Sequence, residues 1–411
     1  MRVLMICPGT RGDVAPMAGL GSRLQKLGYE VSIAANPAYA HLVVRSGCEY
    51  RPLPGDLGRI IKRVTPGGAK SSGGMLTTWR ELSEYMDQAA TGTLAAVEAG
   101  ADVILANSVA PYAYDVAEAV GIPAVGTHLQ PVEPSADYPP VLLGSARNLG
   151  RLGNRIIGER VLAGPAPYDA PTARLRHELG LPKLSRQAAE RRRARANSTV
   201  LHGISPTVLR RPADWRPGLV MAGYWWPVPE PEWSPSAELE DFLSAGPPPV
   251  FVGFGSSAAL EAGFVLEAIR RAGVRAVLQG AGDLSDDDAI GIGTVPHEWL
   301  FPRMAVVAHH AGSGTTAAGL RAGVPTVCVP VYTDQPLWAA RVAALGAGPR
   351  PVPYKGLTVE RLAYAIREAV STPSYAARAR ILAARIGNED GASAVLRTLR
   401  NLPTGSQLSA F

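Results

Sequence analysis

Cysteine is scarce in this 411-residue chain, with Cys7, Cys48 and Cys328 its three thiols. They give no disulfide framework, so stability must come from packed cores. Cys7 and Cys328 lie in apolar, strand-like runs and are expected as buried thiols in a reducing compartment. No apolar run approaches the roughly 20 residues of a membrane-spanning helix. The start, Met1 to Cys7, is too short for a secretory signal and runs straight into a glycine turn. A soluble, cytoplasmic protein is expected. Aromatic residues amount to 6% and do not interleave with the basic ones, which argues against nucleic-acid binding. The G-x-x-x-x-G-K-[ST] spacing of a phosphoryl-transfer loop is missing.

What is present fits two domains of ordinary size: 46% hydrophobic residues, 44 Gly and 36 Pro. The Ala/Arg/Gly bias is consistent with a GC-rich bacterial source. Net charge is +6, and much of the excess sits in Arg186 to Arg195. That run reads as a solvated helix face, with transient contact to an anionic membrane surface as a second reading.

Short apolar runs alternate with helical spacing. Val3–Cys7, Glu30–Ala35, Val103–Ala106 and Pro123–Gly126 read as buried parallel strands, with helices over Ala15–Leu27 and Ala110–Val120 and a last strand at Val200–Ser205. Proline then crowds residues 212–249, which reads as a linker pinned by Tyr224, Trp225 and Trp226. A second series begins at Val250–Gly253 and ends with a helix over Gly391–Leu399. The expected fold is α/β, two Rossmann-like doubly wound domains facing a cleft, divided as 1–211, 212–249, 250–388 and 389–411. Residues 404–411 are expected as a frayed tail. Leu53–Gly74 and Val132–Pro171 read either as surface loops or as walls of a pocket.

Residues 293–335 carry most of the chemistry. An apolar run ends in His309 and His310, then passes through Ala311-Gly312-Ser313-Gly314-Thr315-Thr316 into a helix expected from Ala317. A strand, a small-residue turn and a helix N-terminus make an anion site. Gly312 and Gly314 allow close approach, Ser313, Thr315 and Thr316 offer hydroxyls, and His310 offers a ring donor. This is a diphosphate cradle without lysine.

Three ordered motifs in this stretch, Val295 to Phe301, His309 to Thr316 and Asp334 to Pro336, resemble the donor signature of family 1 glycosyltransferases, in the branch of sterol glucosyltransferases and glycopeptide and macrolide antibiotic glycosyltransferases. The resemblance implies the GT-B fold, with the final helix returning to the N-terminal domain. It implies Asp13, in Gly9-Thr10-Arg11-Gly12-Asp13, as general base on an acceptor hydroxyl; read without the family, Asp13 is equally a helix N-cap. Arg11 and Gly12 become diphosphate or cleft contacts. Ser256, His310, Gly312, Ser313, Gly314 and Thr315 would hold the diphosphate, Val295 and His297 the base edge, and Asp334 with Gln335 the sugar hydroxyls. Asp334 and Gln335 also suit a helix start, and Trp299 suits either a core or a wall of the site. Plant members place a histidine in the first loop and a tryptophan near Thr294; this chain has neither.

The function implied is an inverting, metal-independent transferase that moves a hexose from UDP-glucose or a dTDP-sugar to an apolar aglycone, with no cofactor beyond the sugar nucleotide. A nucleotide-sugar epimerase and a non-catalytic auxiliary partner are the alternatives. Gly253 to Ala258 fits the dinucleotide pattern G-x-G-x-x-A, but the next strand ends on Gln279 where an oxidoreductase would carry an acid. Asp283 and Asp286 to Asp288 read as a solvated turn and not as a metal site.

Overall fold

Strands buried on both faces are apolar at every position, and β1 (Arg2–Cys7) has five buried residues out of six. The computed structural model describes residues 1–55, 57, 58, 60, 75–255 and 260–402. Most of Leu53–Gly74, all of Ser256 and the 404–411 tail therefore lie outside the described residues. After β1 come α1 (Arg11–Gln25), β2 (Glu30–Ala35), α2 (Ala40–Arg45), β3 (Glu49–Pro52), α3 (Met75–Glu98), β4 (Val103–Ala106), α4 (Ala113–Val120) and β5 (Ala124–His128). Then follow α5 (Gly150–Ala163), α6 (Asp169–Glu178), α7 (Arg186–Arg195), β6 (Val200–His202) and β7 (Leu219–Met221). These seven strands form one parallel sheet, ordered β3-β2-β1-β4-β5-β6-β7.

The second half holds α8 (Ala237–Ser244), β8 (Val250–Gly253), α9 (Ala262–Ala272), β9 (Ala276–Gln279), β10 (Ala289–Ile292), α10 (His297–Leu300), β11 (Val306–His309), α11 (Ser313–Ala322), β12 (Thr326–Cys328), α12 (Gln335–Ala344), α13 (Val359–Ser371), α14 (Pro373–Gly387) and α15 (Gly391–Arg400). Its five strands are parallel, ordered β10-β9-β8-β11-β12. Both sheets reverse direction of winding beside their first strand, between β1 and β4 and between β8 and β11. Loops at such switch points open a crevice at the carboxyl ends of the strands.

Several boundaries differ from those expected, each for a local reason. Helix α1 begins at Arg11 and not at Ala15, because Thr10 and Asp13 form a capping box with Thr10 as N-cap. Asp13 is the third residue of the helix, so the N-cap reading of that carboxylate is corrected. Strand β7 lies inside the proline-rich stretch and pairs with β6. It is three residues long, too short to show a period. Residues 132–171 hold α5, and α3 runs for 24 residues where no helix was anticipated. The basic run forms α7, but its face is not wholly solvated. Arg192 binds Glu118 at 2.7 Å, Arg186 binds Asp169 at 2.8 Å, and Arg193 stacks 4.3 Å over the Tyr114 ring. All three cysteines are buried. No helix among the described residues is long and apolar enough to cross a membrane.

The chain end packs on the first half. Val395 and Leu399 of α15 share a core with Val14 and Met17 of α1, and Trp225 joins them. The Trp225 Nε1–H donates to the Gly391 carbonyl at 2.9 Å, and Ser205 donates to Glu389 at 2.7 Å.

Candidate active site

A cavity of about 2180 Å³ lies between the two sheets, walled by the loops at both switch points. On its C-terminal side, β11 delivers His309 and His310, and the chain turns through Ala311, which sits at φ +62°. Gly312 is the N-cap of α11, and the first helical bond runs from the Thr316 N–H to the Gly312 carbonyl at 2.9 Å. The helix starts four residues earlier than expected, so the N–H groups of Ser313, Gly314 and Thr315 have no partner within it. All three residues line the cavity. A side chain at 312 would strike Nε2 of His310 at 2.5 Å, so glycine lets that ring lie over the helix entry.

His309 and His310 part ways here. The His309 ring is fully buried and its Nδ1 accepts the Ala311 N–H at 3.0 Å, which holds the turn. His310 lines the cavity, and burial lowers its pKa to about 4. His297 stacks on Phe301 with ring centroids 4.2 Å apart, and burial, then the charge of Arg11 across the cleft, lower it to about 4. Both rings are therefore neutral near pH 7, each keeping one N–H to donate.

These histidines carry a stability prediction. Their folded pKa values lie below the ordinary 6.5, so the unfolded chain takes up protons first on acidification. Stability should rise with pH between about 4 and 6.5 and be flat above that from this source. Melting temperatures read across that window check it. The slope should shrink in His310→Gln, and an unchanged slope would place the titration elsewhere.

Asp334 is the N-cap of α12 by position but makes no side-chain cap bond. Its carboxylate instead accepts Trp338 Nε1–H at 2.6 Å and the Thr333 hydroxyl at 3.1 Å. The Gln335 Oε1 accepts the N–H groups of Val331 and Tyr332 at 2.8 and 3.2 Å. Both side chains line the cavity, as does the buried Val295. Trp299 packs on Trp233 and beneath Arg303, in the core sense of its two readings.

On the N-terminal side, Asp13 Oδ2 accepts the Thr10 N–H at 2.8 Å, and Oδ1 lies 3.5 Å from Asn107 Nδ2. A Cβ on Gly9 would fall 2.0 Å from that carboxylate, so the first glycine of the loop makes room for it. Burial raises the Asp13 pKa, the Thr10 N–H opposes it, and the charge of Asp334 across the cavity adds to the rise. Arg11 lines the cavity 3.7 Å from Glu230, which also pairs with Arg45; Gly12 lies beside it.

Residues of the 132–171 stretch line a second wall, as one of its two readings had it, but sequence reasoning missed the side chains that meet there. His128 at the end of β5 and His202 at the end of β6 both face Glu133, at 2.8 and 2.7 Å. Burial alone would raise the Glu133 pKa, but the charges of His202 and His128 outweigh it and hold the carboxyl well below its usual range. Trp215 stacks on His202 at 4.6 Å. Among the described residues this is the one group whose ligating atoms come together as for a metal. Its N···O distances of 2.7 and 2.8 Å are hydrogen-bond lengths; ligand atoms around a tetrahedral zinc ion sit about 3.3 Å apart. The acidic run is a turn: Asp286 accepts the N–H groups of Asp288 and Ala289 at 2.9 and 2.7 Å and pairs with Arg270.

Family models match segments in both halves of the chain. The family model of the glycosyltransferase family 28 N-terminal domain matches residues 3–134, and that of the erythromycin biosynthesis protein CIII-like C-terminal domain matches 280–402. The chain is 34% identical to an O-mycaminosyltylonolide 6-deoxyallosyltransferase of Streptomyces fradiae, over 95% of each chain. It is 31% identical to the sterol 3-beta-glucosyltransferase UGT80A2 of Arabidopsis thaliana, over 99% of this chain and 66% of that one. The fold matches the crystal structure of the glycosyltransferase VinC in complex with dTDP, with a TM-score of 0.66 at 21% identity, over 97% of this chain and 99% of that one.

Proposed function

Because the chain belongs to the GT-B glycosyltransferases of the antibiotic and sterol branch, we propose that it is an inverting enzyme that moves a hexose from UDP-glucose or a dTDP-sugar to a hydroxyl of a polyketide, macrolide or sterol-like acceptor. The observation that carries this is the opposition, across one cavity, of the Asp13 carboxylate and the bare N-terminus of α11. A hydroxyl activated on one wall attacks a carbon whose leaving group departs to the other, and in-line displacement inverts that carbon.

Each wall has a defined part. Asp13, with its pKa raised mainly by burial, accepts the acceptor proton as the new C–O bond forms. The N–H groups of Ser313, Gly314 and Thr315 and the ring of His310 receive the diphosphate, so the helix dipole and fixed donors neutralise the leaving group. Asp334 and Gln335 orient the sugar hydroxyls.

A screen of sugar nucleotides against a panel of aglycones, read by mass spectrometry, tests the activity. The anomeric configuration of the product, read by proton NMR, tests inversion; retention would refute it. Donors of this kind also do the work of a metal. Turnover is therefore expected to persist in excess EDTA, and loss restored by Mg²⁺ or Mn²⁺ would overturn that part.

A further inference from the structure

Four arginines converge on a second cavity, apart from the first. It is a groove of about 550 Å³ lined by Arg210 from the loop after β6, Arg341 from α12, and Arg378 and Arg385 from α14. It shares no lining residue with the large cavity. The sequence explains the sign of its charge. Neither α12 nor α14 contains an aspartate or glutamate, and residues 206–212 contain none either. Arg378 and Arg385 stand two helical turns apart on α14, so one face carries both.

Two of the four groups are held in place. The Arg341 Nε–H donates to the Val208 carbonyl at 2.9 Å, tying α12 to the loop after β6. The Arg378 Nε–H donates to the Leu345 carbonyl at the end of α12, also at 2.9 Å. Both bonds use Nε and leave the Nη donors of these groups without a protein partner among the described residues. Arg210 and Arg385 are exposed, and among the described residues none of the four arginines forms an ion pair. The first acid after α14 is Glu389, whose Oε1 accepts the Ser205 hydroxyl at 2.7 Å and the Thr207 N–H at 3.3 Å. Counted in full against the four arginines, it leaves an excess of three positive charges. Gathering like charges has a cost here: burial, then the charge of Arg210, depress the pKa of Arg341. Guanidinium donors of this kind match phosphate oxygens, two N–H groups to each phosphate. Leu345 and Leu382 add apolar surface to the groove.

We infer that this groove is a second ligand site and that it takes an oligophosphate, either free or as the chain of a nucleoside triphosphate. A single phosphate cannot balance the excess charge or reach groups carried by three separate elements. A chain of phosphates does both. It would also bridge the loop after β6 and α12, the helix that opens at Asp334 and Gln335 on the large cavity. This assignment is independent of the transferase reading.

Tripolyphosphate and inorganic phosphate are the probes. With UDP at saturation, calorimetric titration of the full chain should show tripolyphosphate binding at least about tenfold tighter than phosphate, and weakening as salt rises. Arg210→Gln/Arg385→Gln removes two side chains that make no protein bond, so the fold should be kept. It should weaken tripolyphosphate at least about tenfold while UDP binds as in the parent. Lys26→Gln/Lys183→Gln removes the same charge outside the groove and should leave the affinity within about threefold. ATP separates the two sources. Tighter binding of ATP than of tripolyphosphate assigns the groove to a nucleoside triphosphate, and equal or weaker binding assigns it to the free chain. No binding of tripolyphosphate, phosphate binding equally well, full affinity in the arginine variant, or an equal loss in the lysine variant would each overturn the inference. If UDP itself fails to bind, the transferase reading suffers, and the two variants still decide the groove.

Discussion

Asp13→Asn is expected to leave the fold intact and to lower turnover roughly a hundredfold or more, the usual effect of removing a general base. The substitution separates two jobs that the structure gives to one carboxylate. Asp13 closes the capping box of α1 by accepting the Thr10 N–H. Asparagine keeps an oxygen for that bond, so the melting temperature should stay close to that of the parent. Losing the box altogether, as in Asp13→Ala, costs about 1 kcal/mol. Asparagine cannot take a proton, and that is the job expected to fail. Gly9→Ala supplies an independent check, because its methyl would overlap the carboxylate at 2.0 Å and push Asp13 out of place without changing its chemistry. Both variants should bind UDP or dTDP normally, since the donor cradle lies across the cavity. If Asp13→Asn turns over near the parent rate, the proton leaves through another group on this wall.

The strand–turn–helix on the C-terminal wall of the cavity was legible because its residues are consecutive. His310 to Thr315 form one strand–turn–helix, and Asp334 and Gln335 open the next helix; the pattern of residue types is the geometry. The alternating strands made the two α/β domains legible in the same way. The meeting of side chains on the N-terminal wall could not be read, because no local pattern joins its parts. His128 and His202 stand 74 residues apart in sequence and meet because β5 and β6 are paired with His128 opposite His202. Glu133 reaches them from the 132–171 stretch, which reads either as a surface loop or as a wall of a pocket and in place lines the cavity. Arg216 is brought into the cavity by β7, a three-residue strand hidden among prolines. Arg193 looked like one charge in a solvated run until Tyr114 placed it. The start of α11 was set too late because small residues and hydroxyls score as turn; in place they are the first turn of a helix whose N–H groups are left for a ligand.

His310→Ala tests that cradle and should raise the barrier by roughly 2–4 kcal/mol, a rate loss of about 30- to 1000-fold, by analogy with removing one oxyanion donor. The ring is a neutral donor near pH 7, with its pKa near 4, so the loss is that of a hydrogen bond aimed at developing charge and not of an ion pair. Its effect should therefore fall on kcat more than on sugar-nucleotide affinity, because the leaving oxygen gains most of its charge in the transition state. In the parent, turnover should not gain from this ring as pH falls toward 4, as it would if a protonated imidazole were the active form. His310→Gln keeps an N–H in reach and should recover part of the rate. Structural damage is distinguishable: His309, not His310, holds the turn through the Ala311 N–H. His309→Ala should therefore lower the melting temperature, and His310→Ala should not. Turnover of His310→Ala within about threefold of the parent would leave the diphosphate to the helix N-terminus alone.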